Sequence, residues 1–225
     1  MAKLGKTVGK SHEDKALMYY YKAVEYFENN KKRVYQILTA ITVVIVLLII
    51  YFRYQSSKND SATLEYAKAK QFYLSGDYQQ AISGDSLGTS RGLQYLVETY
   101  GSTESGEAAK IMLANSYYYM RDFDKAEKYY KDFSGGNESF KAAALAGQAS
   151  VFEARNNFAE AAKLFEKASK VSKNVSNSDE YLFSALRNYY NANDNDNLKK
   201  SIKSLKSDYP KSKYIAQIAR YDKGE

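Results

Sequence analysis

The chain has 225 residues, with 33 Lys and Arg against 26 Asp and Glu, a formal net charge of +7, one His, one Pro and no Cys. The lack of cysteine excludes disulfides, thiolate metal sites, thiol catalysis and a lipidated N-terminal cysteine, and a single histidine excludes multi-histidine metal centres. Because proline breaks helices and punctuates all-β folds, one proline in a chain of this length indicates an almost wholly helical protein.

Residues 1–33 are predicted to form a tail with an amphipathic juxtamembrane helix. A short disordered start, which includes His12, precedes an apolar stripe at helical spacing. The stripe is formed by Leu17, Tyr20, Tyr21, Val24 and Phe27. Two roles are open for it: lying on the lipid headgroups, or docking a membrane partner.

Residues 34–52 form the most apolar stretch of the chain. These 19 residues carry no charge, 16 of them are apolar, and Arg33 and Arg53 flank them. A helix of this length spans roughly 28 Å, close to the ~30 Å hydrocarbon core of a bilayer. The run is longer than a usual core segment, and no small-x-small cleavage site follows it. We therefore expect an uncleaved transmembrane signal-anchor.

The distribution of charge predicts the orientation of this transmembrane helix. Residues 1–33 carry eight Lys and Arg against four Asp and Glu, whereas the segment just beyond Arg53 is sparser in positive charge. The positive-inside rule then places the N-terminus in the cytoplasm and everything after Arg53 across the membrane.

A polar linker is predicted over residues 53–61, and a self-similar pattern follows it over residues 62–225. Each unit has a polar turn, an aromatic residue directly after it and an alanine three residues later. The turns lie within residues 74–82, 120–127 and 155–162. Ala114 and Ala149, which precede the second and third turns, are 35 residues apart, as are Ala126 and Ala161 after them. An internal period of this length indicates a repeat protein.

These residues resemble the tetratricopeptide repeat, a 34-residue helix-turn-helix unit with a small residue at the helix crossing and an aromatic one turn later. The resemblance implies an all-α fold, a tetratricopeptide repeat superhelix of about four units preceded by one transmembrane helix. Two units match well, at roughly residues 107–140 and 142–175. The first unit is interrupted after Ile82, and the last, at about residues 179–210, is degenerate.

The order of tail, anchor and repeats resembles the YfgM-type proteins of bacteria, and the interrupted first repeat resembles anchored repeat proteins of Bacteroidetes. That resemblance implies a single-pass protein of the bacterial inner membrane with a cytoplasmic N-terminus and a periplasmic repeat domain. It also implies partners among the Sec translocon, periplasmic chaperones or envelope-assembly components. Outer-membrane assembly lipoproteins have repeat boundaries similar to residues 208–214, but they need a lipidated cysteine, which this chain lacks.

No catalytic constellation, cofactor motif or metal site is predicted, so we expect a protein that is not an enzyme. Residues 194–196 resemble the start of a calcium loop, without the glycine and distal glutamate that such a loop needs. A net charge of +3 over residues 53–225 is too small for a nucleic-acid-binding surface. Two rows of lysines are predicted to lie on solvated helix faces. The alternative is that they bind an anionic membrane surface or an acidic partner. They are Lys163, Lys167 and Lys170, and Lys199, Lys203 and Lys206.

Protein partners are predicted to bind at outward positions on the first helix of each repeat, because repeat solenoids offer extended binding surfaces. Aligning the second and third repeats with each other gives the residues at these outward positions: Ala108, Ile111, Asn115, Tyr118, Tyr119, Ala143, Ala146, Ser150, Glu153 and Ala154. The partner-binding candidates among them are Asn115, Tyr118, Tyr119, Ser150 and Glu153. Tyrosines are frequent at binding hot spots, whereas Tyr117 is predicted to lie in the core.

Two functions from different classes fit these patterns. The first is a non-catalytic, membrane-anchored adaptor that binds proteins at the periplasmic face, ancillary to the Sec translocon or to chaperones of exported proteins. The alternative is a homo-oligomeric structural scaffold of the cell envelope, in which the interrupted first repeat and the tyrosine face pack against another copy.

Overall fold

The computed structural model describes residues 10–172 and 175–222, and for residues 10–14 and 16 it describes the backbone alone. All regular secondary structure in these residues is helical, which confirms the predicted all-α fold. The chain divides into two compact units, Met1–Ser56 and Ser57–Glu225.

Helix α1 (Lys10–Leu74) starts in the first unit and ends in the second. No glycine or proline occurs between Gly9 and Gly76, so nothing in the covalent chain interrupts a helix over this interval. His12 lies in this helix, and its predicted place in a disordered start is therefore wrong. Residues 1–9 of that predicted start lie outside the described residues.

A kink divides the part of α1 that belongs to the first unit. Asn30 has non-helical backbone angles (φ −125°, ψ 21°), and its Nδ2 donates a 3.0 Å hydrogen bond to the carbonyl oxygen of Tyr26. A side chain that bonds to the backbone in this way competes with the regular helical hydrogen bonds. The kink separates the aromatic-rich N-terminal stretch from the apolar run.

The apolar run is exposed on all sides of α1. Within the described residues, α1 contains the one segment that is long and apolar enough to cross a membrane, by length and composition. Its aliphatic side chains are about half exposed, as Val44 (55%) and Ile45 (49%) illustrate. Exposed apolar surface of this extent is typical of a membrane or protein contact.

The predicted polar linker is helical. Residues 53–61 continue α1, and the hydroxyl groups of Ser61 and Thr63 donate to the carbonyl oxygens of Ser57 and Asn59, one turn earlier. Polar composition suggested a linker here. Hydroxyl groups that bond to the preceding turn are compatible with a helix, and no helix breaker is present.

The second unit consists of helix pairs in chain order. The end of α1 pairs with α2 (Tyr78–Ser83), and α3 (Gly92–Tyr100) follows an interruption that the sequence predicted. The later pairs are α4 (Glu104–Tyr119) with α5 (Phe123–Lys131), α6 (Glu138–Ala154) with α7 (Phe158–Ser169), and α8 (Ser178–Asn191) with α9 (Asn195–Asp208). A 3₁₀ helix (Ile215–Arg220) follows.

The turns inside the pairs share one local structure. In each, a residue with left-handed backbone angles precedes an Asp or Asn whose side chain accepts a hydrogen bond from the backbone N–H three residues later. The left-handed residues are Gly76 (φ 80°), Arg121 (64°), Asn156 (59°) and Asn193 (56°). The N-cap residues are Asp77, Asp122, Asn157 and Asp194. This N-cap satisfies an otherwise unpaired donor at the start of the second helix of each pair.

Small residues allow close packing between the helices of the second unit. Ala69, Ala114 and Ala149 are fully buried, as predicted for the residues at the helix crossings. Tyr117 is also buried and belongs to the core that α1 to α6 share, which confirms its predicted place. Interiors are packed at the density of organic crystals, so larger side chains at the alanines would push the helices apart.

The 3₁₀ helix closes the C-terminal end of the helix array. Tyr214 stacks on Phe183 with 4.7 Å between ring centroids, and Tyr221 packs edge-on against both Phe183 and Tyr190. Ile218 is buried in the same cluster. The apolar surface of α8 that would otherwise face solvent is covered by these aromatic contacts, as a solenoid end requires.

Candidate functional site

A groove of about 480 Å³ crosses the first helices of the last three pairs, α4, α6 and α8. All five predicted partner-binding residues line it: Asn115, Tyr118, Tyr119, Ser150 and Glu153. Tyr130 of α5 and Phe165 of α7 contribute aromatic rings, and Ala143, Ala146 and Gly147 contribute small residues from α6. The structure therefore brings the predicted residues together on one surface.

The repeat period explains why these residues converge. Ser150 follows Asn115 by 35 residues, and Ser184, which also lines the groove, follows Ser150 by 34. Likewise Glu153 follows Tyr118 by 35 residues, and Arg187 follows Glu153 by 34. Residues at equivalent positions of stacked repeats form rows across the array. The groove consists of such rows.

Tyr118 and Tyr119 are held in place by other aromatic rings. The two rings meet edge-on at 6.0 Å between centroids, and Tyr119 stacks on Tyr78 of α2 at 4.7 Å. Tyr119 is nevertheless 56% exposed. Burial raises the pKa of the Tyr118 hydroxyl, so Tyr118 remains neutral at physiological pH. The pair offers rigid aromatic surface.

Asn115 is engaged in hydrogen bonds with two other helices. Its Oδ1 accepts a 2.5 Å hydrogen bond from the hydroxyl of Tyr130 on α5, and its Nδ2 donates to the hydroxyl oxygen of Tyr73 on α1 at 3.2 Å. Both polar atoms of the amide thus bond within the protein, although Asn115 lines the groove. The side chain joins three helices beneath the groove surface.

Glu153 forms an ion pair across two repeats. Its Oε1 lies 2.7 Å from Nη2 of Arg187 on α8, and both side chains are partly exposed. Ser150 donates from its hydroxyl to the carbonyl oxygen of Ala146 at 3.0 Å, so its oxygen can still accept a hydrogen bond. Glu153 is therefore charge-compensated, and Ser150 retains acceptor capacity.

Some of the residues predicted to face outward do not. Ala108 and Ile111 are buried, and Ile111 belongs to the core that α1 to α6 share. Ala146 is also buried, but it lines the groove. Ala154 is exposed but does not line the groove. The outward prediction was wrong for Ala108 and Ile111, because neighbouring helices surround α4 on most sides and leave a narrower outward stripe than the comparison of the repeats assumed.

Sequence reasoning missed the contribution of α8. Glu180, Tyr181, Ser184 and Arg187 all line the groove. The signal was present in the sequence, since each lies 34 residues after a position of the third repeat that also lines it: Ala146, Gly147, Ser150 and Glu153. The degenerate turn of the last repeat obscured this register.

The residues with a resemblance to a calcium loop have a structural role. Asp194 caps α9, and its carboxylate accepts hydrogen bonds from the backbone N–H (3.1 Å) and Nδ2 (2.8 Å) of Asn197. In the described ranges, no group of three or more His, Asp or Glu side chains is placed to hold a metal ion. In the lysine rows, Lys163 pairs with Glu160 within α7, and Lys170, the C-cap of α7, pairs with Glu166.

Comparison with known families agrees with this architecture. A family model described as tetratricopeptide repeat matches residues 111–174, which run from within α4 to beyond the end of α7. No curated protein matches the chain. The match supports a tetratricopeptide repeat protein, a class whose members generally act as protein-interaction adaptors and not as enzymes.

Proposed function

We propose that the protein is a membrane-anchored adaptor that binds protein partners in the groove across α4, α6 and α8. The anchor is residues 34–52, and the repeat domain lies at the periplasmic face of a bacterial inner membrane. Its partners are components of the Sec translocon, chaperones of exported proteins, or envelope-assembly proteins. The adaptor is not an enzyme and needs no cofactor.

The groove is the observation that carries this proposal. Three successive repeats place aromatic, hydroxyl and charged side chains on one open surface. Tyr119 is more than half exposed while its ring stacks on Tyr78, so it presents apolar area at little cost in conformational entropy. The exposed apolar run of α1 supports the anchor.

Site-specific photo-crosslinking in intact membranes tests the adaptor function. A photoreactive amino acid replaces Tyr119 in the groove, and in a matched control it replaces Lys163, an exposed residue of α7 that does not line the groove. We expect crosslinks to translocon, chaperone or envelope-assembly proteins from position 119 and not from position 163. Absence of any protein product from position 119, or equal products from both positions, would contradict the proposal.

A second candidate is a homo-oligomeric scaffold, and Leu87 is the observation that favours it. This side chain is 85% exposed at the tip of the interruption between α2 and α3. The loop is ordered by Asp85, whose carboxylate accepts from the Ser90 N–H (2.7 Å) and the Thr89 hydroxyl (2.6 Å). Sedimentation of the detergent-solubilised full chain tests this candidate. A scaffold should self-associate, and the Leu87→Asp variant should lose that self-association. A wild-type chain that is strictly monomeric would eliminate the scaffold.

A further inference from the structure

We propose that the groove selects an extended protein segment that presents an arginine or lysine side chain, with Glu180 and the tyrosine rings of the groove as the selecting groups. This inference rests on the proposed adaptor function and names the chemistry of its partner.

The charge of the groove is opposite in sign to that of the domain around it. Residues 53–225 carry a net charge of +3, yet the groove is lined by the carboxylates of Glu153 and Glu180 and by the one guanidinium of Arg187. Glu153 and Arg187 pair at 2.7 Å and compensate each other. Glu180 is exposed and forms no ion pair with any other described residue. The groove therefore has one uncompensated negative charge.

Aromatic faces can also bind a cation. Tyr118, Tyr119 and Tyr181 line the same groove. Stacking on Tyr78 covers one face of the Tyr119 ring, and the ring stays 56% exposed, so its other face is open. Lysine and arginine side chains bind to such faces through the ring quadrupole. Burial raises the pKa of the Tyr181 hydroxyl, which keeps that ring neutral.

The floor of the groove accommodates an extended backbone. Ala143 and Ala146 present little side-chain bulk, so a bound chain can approach this part of α6 closely. The hydroxyl oxygen of Ser150 can accept a backbone N–H, because its own hydrogen is donated to the carbonyl oxygen of Ala146. A basic side chain on such a segment can then reach Glu180 on α8.

An acidic segment is disfavoured by the same groups. The cation that lines the groove, Arg187, is already paired with Glu153. Among the residues that line the groove, an incoming carboxylate would meet Glu180 and no unpaired cation. Like charges in proximity reduce affinity and suppress wrong partners. Basic and acidic segments should therefore differ in affinity, and that difference can be measured.

The test begins with short random-sequence peptides displayed on phage and selected against the full chain in nanodiscs. We expect the recovered peptides to be enriched in Arg and Lys, and depleted in Asp and Glu, relative to the unselected library. The affinity of one recovered peptide, labelled with fluorescein, is then measured by anisotropy. Binding should weaken as salt is raised, because exposed charges are screened.

Three variants identify the selecting groups. Glu180→Gln removes the charge, and Tyr119→Leu removes the aromatic face while keeping apolar bulk. Each should weaken binding of the basic peptide by about threefold to tenfold. Glu138→Gln is the matched control, since Glu138 is also an exposed first-turn glutamate but does not line the groove. It should bind the peptide like the wild type. Circular dichroism confirms that the variants remain folded.

The outcomes separate this inference from the adaptor function. Recovered peptides without basic enrichment, a Glu180→Gln variant that binds a basic peptide like the wild type, or a selection that recovers nothing would each overturn the inference. The adaptor function is decided by crosslinking from position 119. A partner crosslinked there through an acidic or uncharged segment keeps the adaptor and eliminates the selection for cations.

Discussion

The hydroxyl of Tyr130 on α5 donates a hydrogen bond to Oδ1 of Asn115 on α4, with 2.5 Å between the two oxygens. Tyr130 is buried, so this acceptor takes the place of water for its hydroxyl. The amide nitrogen of Asn115 continues to Tyr73 on α1. A residue that the sequence indicated as a partner contact thus also holds the repeat array together.

We therefore predict that Asn115→Leu destabilises the fold by about 1–3 kcal/mol, because it leaves the buried Tyr130 hydroxyl without an acceptor. Tyr130→Phe should cost less, about 0.5–1.5 kcal/mol, because Asn115 lines the open groove and water can replace the lost donor. Thermal and denaturant unfolding of the full chain in detergent measures both. The double variant should cost less than the sum of the two, and additive effects would contradict the coupling.

Gly147 is predicted to be required for the packing of Tyr130. A Cβ at residue 147 would lie 2.2 Å from Cε1 of the Tyr130 ring. Gly147→Ala should therefore destabilise the fold by about 1–3 kcal/mol, in spite of the higher helix propensity of alanine. Gly136→Ala is the control, because a Cβ there meets nothing within 4 Å. If the two variants unfold at the same temperature, this packing argument is wrong.

Arg121 is predicted to reduce stability because of its backbone conformation. It has φ 64°, at the turn position that Gly76 occupies in the first pair. Since left-handed angles are unfavourable for residues with a Cβ, Arg121→Gly should raise stability by about 1 kcal/mol. Gly76→Ala should lower it by a similar amount, and the melting temperatures of the two variants check both signs. A lower melting temperature for Arg121→Gly would show that contacts of the arginine outweigh the strain.

Acid is predicted to destabilise the repeats through Glu127. Hydrogen bonds from Lys131 (2.5 Å) and Arg155 (2.6 Å) lower the pKa of its carboxyl. Burial acts in the opposite direction and does not reverse this shift. The folded state then binds the proton more weakly than the unfolded state, whose glutamate pKa is about 4.3. The resulting stabilisation is complete above that value and is lost as pH falls through the lowered pKa.

Melting temperatures measured between about pH 6 and pH 3 test this dependence. The wild type should lose stability toward low pH, and Glu127→Gln should be less stable at neutral pH and lose less on acidification. Glu138→Gln serves as the control, because no described residue forms an ion pair with Glu138. Identical pH profiles for wild type and Glu127→Gln would refute the role of these ion pairs.

The chain has no cysteine, so a thiol introduced by substitution is the only one that a maleimide can label. The predicted membrane topology can therefore be tested by labelling. Lys15→Cys places a thiol in the N-terminal tail, and Ser86→Cys places one in the exposed loop between α2 and α3. We expect a membrane-impermeant maleimide to label residue 86 in spheroplasts and residue 15 only after lysis. The reverse pattern would invert the orientation, and labelling of both in intact spheroplasts would argue against a membrane span.

The sequence predicted best what is encoded locally. The turns at Asp77, Asp122 and Asn157 were found because each N-cap is followed by an aromatic and an alanine within a few residues. The course of α1 through residues 53–61 was missed because polar composition outweighed the absence of glycine and proline. The polar composition favoured a linker there, whereas the absence of glycine and proline favoured a helix, and the segment is helical.

Tertiary packing was less accessible from sequence. The five candidate residues lie on one groove, yet the hydrogen bonds of Asn115 and the ion pair of Glu153 depend on helices distant in sequence. The need for Gly147 likewise arises only when the ring of Tyr130 is placed against α6. A repeat period predicts which residues share a row, but not which of their atoms are already engaged.

The aromatic cover that Tyr214 and Tyr221 place on α8 also limits how far the groove extends along the array. Because Phe183 and Tyr190 are occupied by this cover, no further repeat can stack on α8 and extend the binding surface. Helix axes pack 8–10 Å apart, so three first helices span roughly 20 Å from the first axis to the third. An extended chain covers that distance in about six residues. Under the proposed adaptor function, the groove therefore has the length of a short linear motif.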